Sequence, residues 1–218
     1  MLLGRGTVLK KLATGIALVA AADANTGTAN SSTMDTYAMD STGADFIAVY
    51  VSCNEGVGGS LPTLSDSYGN TWTYAAARPG GASWNGAFYY CFSPSVGTGH
   101  TFTVTNSGGS FSGICAAAFS GGITAFDQRA SPGPPSSAPG TITAAGSPAL
   151  YLAGITANED PTGFTINDGF TRAAKSVSVG FHIGGDLAYR IDSTAAAAAP
   201  TFSGATDGNR NAVLFSFI

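Results

Sequence analysis

Short apolar runs rich in β-branched and aromatic residues, separated by clusters of Gly, Asn, Asp, Ser and Pro, run through the whole chain and predict an all-β protein. Thr101–Thr105 alternates, with Phe102 and Val104 on one face and threonines on the other, as a half-buried strand does. Phe46–Val51, Phe88–Phe92 and Val213–Ile218 are apolar at nearly every position, the pattern of strands covered on two sides. The expected cover for their second face is an N-terminal arm or another subunit. Asp66-Ser67-Tyr68-Gly69-Asn70 reads as a hairpin turn, and Asp168-Gly169 takes the same role later in the chain. Ala195–Ala199 could form a helical turn that Pro200 would end.

The pattern repeats about a hundred residues on. Phe46–Glu55 returns as Leu150–Glu159, Thr63–Asp66 as Thr165–Asp168, and Ala87–Phe92 as Asp186–Ile191. Both halves close on an apolar run, Ile114–Ser120 and Ala212–Ile218, in which Phe119-Ser120 matches Phe215-Ser216, so the offset falls from 104 to 96. Between them, residues 121–140 carry Pro132, Pro134, Pro135 and Pro139 and are expected to be a strap without regular structure. The division is therefore an N-terminal arm, 1–30, and a β-sandwich domain, 31–218, made of half one (31–122), the strap (121–140) and half two (141–218). The expected fold is a two-sheet β-sandwich, jelly-roll-like, with the duplicated strand set sharing one core. The alternative is two immunoglobulin-like beads, although the Cys-Trp-Cys core of true immunoglobulin domains is missing.

Charge changes this picture in one respect. Only 10% of the 218 residues are Asp, Glu, Lys or Arg, against about 25% in average domains, so the surface relies on Ser, Thr, Asn and backbone and is easy to desolvate. Net charge is −4; Arg5, Lys10 and Lys11 give the first 22 residues +3, which leaves −7 on the rest. That body offers no basic patch for nucleic acid. Residues 1–24 have the outline of a signal peptide but are read as a retained arm. Leu9, Leu12 and neighbouring apolar residues would meet another subunit, and Arg5, Lys10 and Lys11 its carboxylates. No stretch reaches the 18 or so apolar residues of a membrane span.

Candidate chemistry is sparse. Cys53, Cys91 and Cys115 make an odd count without CxxC spacing and read as buried thiols. His100 and His182 have no motif around them, and Gly109-Ser110-Phe111-Ser112-Gly113 places Phe where a G-x-S-x-G nucleophile would stand. Gly56–Gly59 precedes no helix that could bind phosphate. Glu55, Asp66, Glu159 and Asp160 lie in loops without calcium-ligand spacing and are read as turn formers. No catalytic residue, metal site or cofactor is therefore assigned. Trp72 and Tyr74 share a strand face and belong to the core. Trp84, in a Gly-rich stretch, is a candidate contact for a glycan or a neighbouring subunit.

Gly43–Val49, Leu64–Thr73, Gly99–Thr105 and Ala118–Gly121 together resemble a β-sandwich module of tailed-bacteriophage virion proteins and some bacterial surface proteins. The resemblance spans roughly residues 30–218 and transfers no functional residue. It implies a virion structural protein, a head decoration or cement protein that binds the major capsid protein or other virion subunits and forms homo-oligomers, with no role for nucleic acid or membrane. The other implied reading is a glycan-binding or adhesive module of a phage tail or fibre, or of a bacterial surface.

Overall fold

The computed structural model describes residues 15–25, 33–54, 61–75, 84–105, 112–133, 135–177, 184–206, 208 and 210–218. Five antiparallel strands form the main sheet of half one: β1 (Ala17–Asn25), β8 (Ser112–Ser120), β3 (Phe46–Asn54), β6 (Trp84–Phe92) and β5 (Thr73–Tyr74), in that spatial order. Against its outer face lies a small sheet of β2 (Thr33–Asp35), β7 (Phe102–Thr105) and β4 (Thr63–Asp66). Strands 1-8-3-6 facing strands 2-7-4 are two interlocked Greek keys, the wiring of a jelly roll.

Half two repeats that wiring. Its main sheet runs β9 (Phe126–Ala130), β15 (Asn211–Phe217), β10 (Ala149–Ala157), β13 (Gly184–Asp192) and β12 (Thr171–Val177), and β11 (Thr165–Ile166) pairs with β14 (Phe202–Ser203) outside it. Each strand matches its counterpart in position, β9 with β1, β10 with β3, β13 with β6, and β15 with β8. Even the isolated bridge Met39–His100 has an equivalent in Ile142–Ala198. Registers correct the matching of the last strand. Phe46 pairs with Phe119 and its equivalent Leu150 pairs with Phe217, so Phe119 corresponds to Phe217 and the offset there is 98. A slip of two residues keeps every side chain on its own face, which is why a match at 96 fits the apolar pattern equally well.

The expected two-sheet sandwich is therefore a four-layer stack, in which two jelly rolls pack main sheet against main sheet. Three apolar layers fill it. Met34, Ile47, Val49, Val51, Phe102 and Val104 pack inside half one. Tyr151, Ile155, Phe164, Phe170, Phe202 and Leu214 pack inside half two. The seam between the halves holds Phe46, Tyr50, Phe88, Phe119, Leu150, Leu152, Leu187, Phe215 and Phe217. Strand alternation explains the doubly apolar runs: along β3, Phe46, Ala48 and Tyr50 face the seam while Ile47, Val49 and Val51 face the half-one sandwich. The cover for the second face is the other half of the same chain.

Other expectations need correction. Residues 17–25 of the expected arm are strand β1, paired along its length with β8 and carrying Ala22 and Ala24 into the core. The strap contains strand β9, because its prolines begin only at Pro132 and Phe126–Ala130 is free to pair with β15. The link between the halves is thus only 121–125, turned by Gly121 at φ 125° and Gly122 at φ 81°. The turns at Asp66–Asn70 and Asp168–Gly169 exist, but they carry the chain from the small sheet to the main sheet and close no hairpin. Ala195–Ala199 is not helical; Ala195 has φ 54° and Ala198 bridges to Ile142.

Candidate functional site

The most chemical-looking cluster lies at the corner of half one. His100, just before β7, is fully buried and sandwiched by aromatic rings, with Phe102 stacked 4.4 Å away and Tyr68 edge-on at 4.7 Å. Ser41 Oγ lies 2.8 Å from its Nδ1, and Asp66 Oδ1 lies 3.5 Å from its Nε2. Serine, histidine and aspartate in a row invite a hydrolytic reading. Burial argues against it, since Ser41 is 0% exposed and its hydroxyl is held by the N–H of Gly97 at 3.1 Å. A nucleophile must touch its substrate, and this one is sealed.

What the cluster does is clamp a corner. Asp66 Oδ1 accepts the N–H of Tyr68 at 2.8 Å and of Asn70 at 3.3 Å, while Oδ2 accepts the indole N–H of Trp72 at 2.9 Å. The backbone of His100 bonds that of Met39 in both directions. Burial holds the imidazole below its ordinary pKa, with the Asp66 carboxylate opposing that shift. The matching corner of half two is clamped differently: Arg190 bonds Asp168, Asp192 and the carbonyls of Ala196 and Ala197, with its guanidinium 5.1 Å from the Tyr151 ring centre.

Polar links also cross the seam. Tyr50 OH lies 2.7 Å from Thr156 Oγ1, and Ser176 Oγ donates to Ala24 O while accepting the N–H of Ile114 at 3.3 Å. The N–H of Lys175 reaches Asp23 Oδ2 at 3.4 Å. Behind them Asp186, 1% exposed, pairs with Arg172 at 2.6 Å; burial raises its pKa and the guanidinium pulls it back. Tyr50 is pushed far above the usual phenol value by desolvation and stays neutral.

Compared with known proteins, the chain matches no family model, no curated protein and no solved structure. The reading of the site therefore rests on its geometry.

Of the four carboxylates expected to form turns, Asp66 and Asp160 do so, while Glu159 bridges instead to a loop distant in sequence and Glu55 lies outside the described residues. Asp160 caps the short 3-10 turn Pro161–Gly163 through the N–H of Thr162, and Glu159 accepts the N–H of Thr206 at 2.7 Å. Among the described residues no cluster of His, Cys, Asp and Glu could hold a metal ion. Cys53, Cys91 and Cys115 are buried and form no disulfide. Trp72 and Tyr74 pack, partly buried, against the half-one core. Arg5, Leu9, Lys10, Lys11 and Leu12 of the arm, and His182, Glu55 and Gly56–Gly59, lie outside the described residues. Trp84 opens strand β6, where its backbone pairs with Asn54, but its side chain is likewise outside them.

One cavity stands apart from these clusters. It measures about 490 Å³ and opens at the seam where β1 begins, β8 ends, β10 begins and β15 ends. Gly15, Ile16, Gly121–Ala125, Gly146–Pro148 and Ile218 form its walls, largely backbone and aliphatic carbon. The sequence holds no sign of it, because its walls come from four segments that only the pairing of the two halves brings together.

Proposed function

We propose that this chain is a structural protein of a bacteriophage virion, a head decoration or cement protein that binds the capsid lattice. The observation that carries this reading is the back-to-back pair of jelly rolls, fused through a common apolar seam into one slab. Jelly rolls build viral capsid and lectin domains, and a slab with a surface poor in charge can be packed against neighbours at little desolvation cost. The polar clusters of the described residues fit such a scaffold, since they brace corners and the seam. The resemblance of the turn and strand pattern to phage virion modules points the same way. Its partners would be the major capsid protein or other virion subunits, with the basic, apolar residues before β1 as the reaching element.

Because one architecture hosts many functions, the test is assembly itself. Purified protein is mixed with heads lacking it, and the mass of the protein alone and of the particles is measured. Stoichiometric uptake is expected, weakened when residues 1–14 are removed. Deletion must stop there, because a chain beginning near Asn30 would also lose strand β1. No uptake, together with specific sugar binding that Trp84→Ala abolishes on a glycan array, would replace this reading with the adhesive module.

A further inference from the structure

We propose that the Ser41–His100–Asp66 corner is a pH-sensitive switch: with a neutral ring it holds half one shut, and acid opens it while the matching corner of half two stays closed. The duplicated fold carries the argument, because it builds one corner twice with different chemistry. Each corner has an isolated backbone bridge, Met39–His100 in half one and Ile142–Ala198 in half two. Each is braced by an aspartate at the equivalent turn, Asp66 or Asp168. In half two that aspartate meets Arg190, a permanent cation, at 2.9 Å. Half one has Cys91 in that place, opposite Ile47 as Arg190 is opposite Tyr151. The described residues of half one include no lysine or arginine, and among them His100 alone can turn cationic.

The site suits a neutral ring and has no place for a charged one. His100 is fully buried between the rings of Phe102 and Tyr68. Its Nδ1 has Ser41 Oγ at 2.8 Å, but its Nε2 has no hydrogen-bond partner. Asp66 Oδ1, 3.5 Å from Nε2, already accepts the N–H groups of Tyr68 and Asn70, and Oδ2 accepts that of Trp72. A second proton on the ring leaves two courses. Either the imidazolium stays buried without a full set of acceptors, which is costly, or it draws Asp66 off the turn that this carboxylate holds. Both loosen the corner.

The other titratable groups around it do not relieve the charge. Tyr68 OH donates to Thr98 O, and burial pushes the Cys91 thiol up, so it stays neutral. Asp40 and Asp45, on the segment that carries Ser41, are engaged by the N–H groups of Thr42 and of Gly121 and Gly122. Burial holds the imidazole below its ordinary pKa, with Asp66 opposing, so the opened corner takes the proton first. Opening brings Phe102 and Trp72 to solvent; they lie inside half one, on the other face of the main sheet from the seam, so the two halves stay joined. The inference does not depend on the proposed function.

Hydrogen exchange on the full-length chain compares the two corners within one molecule. As pH falls from neutral to below the unfolded histidine value near 6.5, protection, corrected for the intrinsic pH dependence of exchange, is expected to fall several-fold at the amides of Met39, Ser41 and His100. At the equivalent bridge amides of Ile142 and Ala198 it should hold steady. His100→Gln should remove the pH dependence from the half-one amides and leave those of half two as in wild type. The ring signals of His100 in the unaltered protein should titrate over the same range as the loss of protection, a reading that needs no variant. Equal loss at both corners, or no loss at either, would overturn the proposal. So would a loss that persists in His100→Gln or that falls outside the titration of the ring.

Discussion

At the residue scale, the seam is decided by one large side chain and the glycines opposite it. Tyr50 in half one lies over Gly154, its own counterpart in half two, where a Cβ would stand 2.7 Å from the ring, and over Gly86, where a Cβ would meet the hydroxyl. Gly154→Ala is expected to destabilise the protein by about 1–3 kcal/mol, the usual cost of overpacking. Combining it with Tyr50→Ala should be less damaging than the sum of the two, which a double-mutant cycle in urea would show. His100 supplies a pH test. Its folded pKa lies below the unfolded value near 6.5, so below that pH the unfolded chain binds the extra proton first and stability falls as pH drops toward the folded pKa. Unfolding midpoints of wild type should decline as pH falls below the unfolded value near 6.5. His100→Gln should show a shallower decline, and parallel curves would remove His100 as the cause.

At the element scale, the interior strands serve two cores at once. Seam residues of β3 and β6 meet those of β15 ring on ring, with Phe88 and Phe215 stacked 4.2 Å apart and Phe46 4.7 Å from Phe217. Phe88 is 0% exposed, so Phe88→Ala is expected to cost about 3–5 kcal/mol in chemical denaturation. A loss under about 1 kcal/mol would show that the seam re-closes around the gap. The small outer sheets carry less: β2 has three residues and β11 and β14 two each, and their places are kept by Asp66, Arg190 and the other corner clamps. Those clamps differ between the halves although the strands match. Strand placement follows a repeated apolar pattern, whereas a corner can be braced by any suitable donor and acceptor.

At the scale of the whole molecule, two jelly rolls depend on each other. Residues 15–122 expressed alone would expose Phe46, Phe88 and Phe119 to water, and two such halves facing each other as the two halves do here would bring Tyr50 against Tyr50. The isolated half is expected to self-associate without symmetry and to unfold without cooperativity, as sedimentation and urea titration would reveal. A monomeric, cooperatively folding half would return the protein to two independent beads. Unequal partners thus favour pairing within the chain over pairing between identical halves.

Much of this architecture is legible in the amino-acid sequence by itself. Alternation at Phe102 and Val104, doubly apolar runs such as Phe46–Val51, and the order of repeated segments are enough for an all-β, duplicated, jelly-roll-like chain, because strand periodicity and turn residues are local properties. The buried state of the cysteines and the turn-forming role of Asp66 and Asp160 are legible for the same reason. What only the tertiary structure decided were relations between distant residues: that half two covers half one, that residues 17–25 and 126–130 are equivalent edge strands, that Ser41, His100 and Asp66 converge on one corner, and that four chain segments enclose a cavity. Each depends on pairing and packing across 25 to more than 100 residues, and an apolar run states only that it must be covered, never by what.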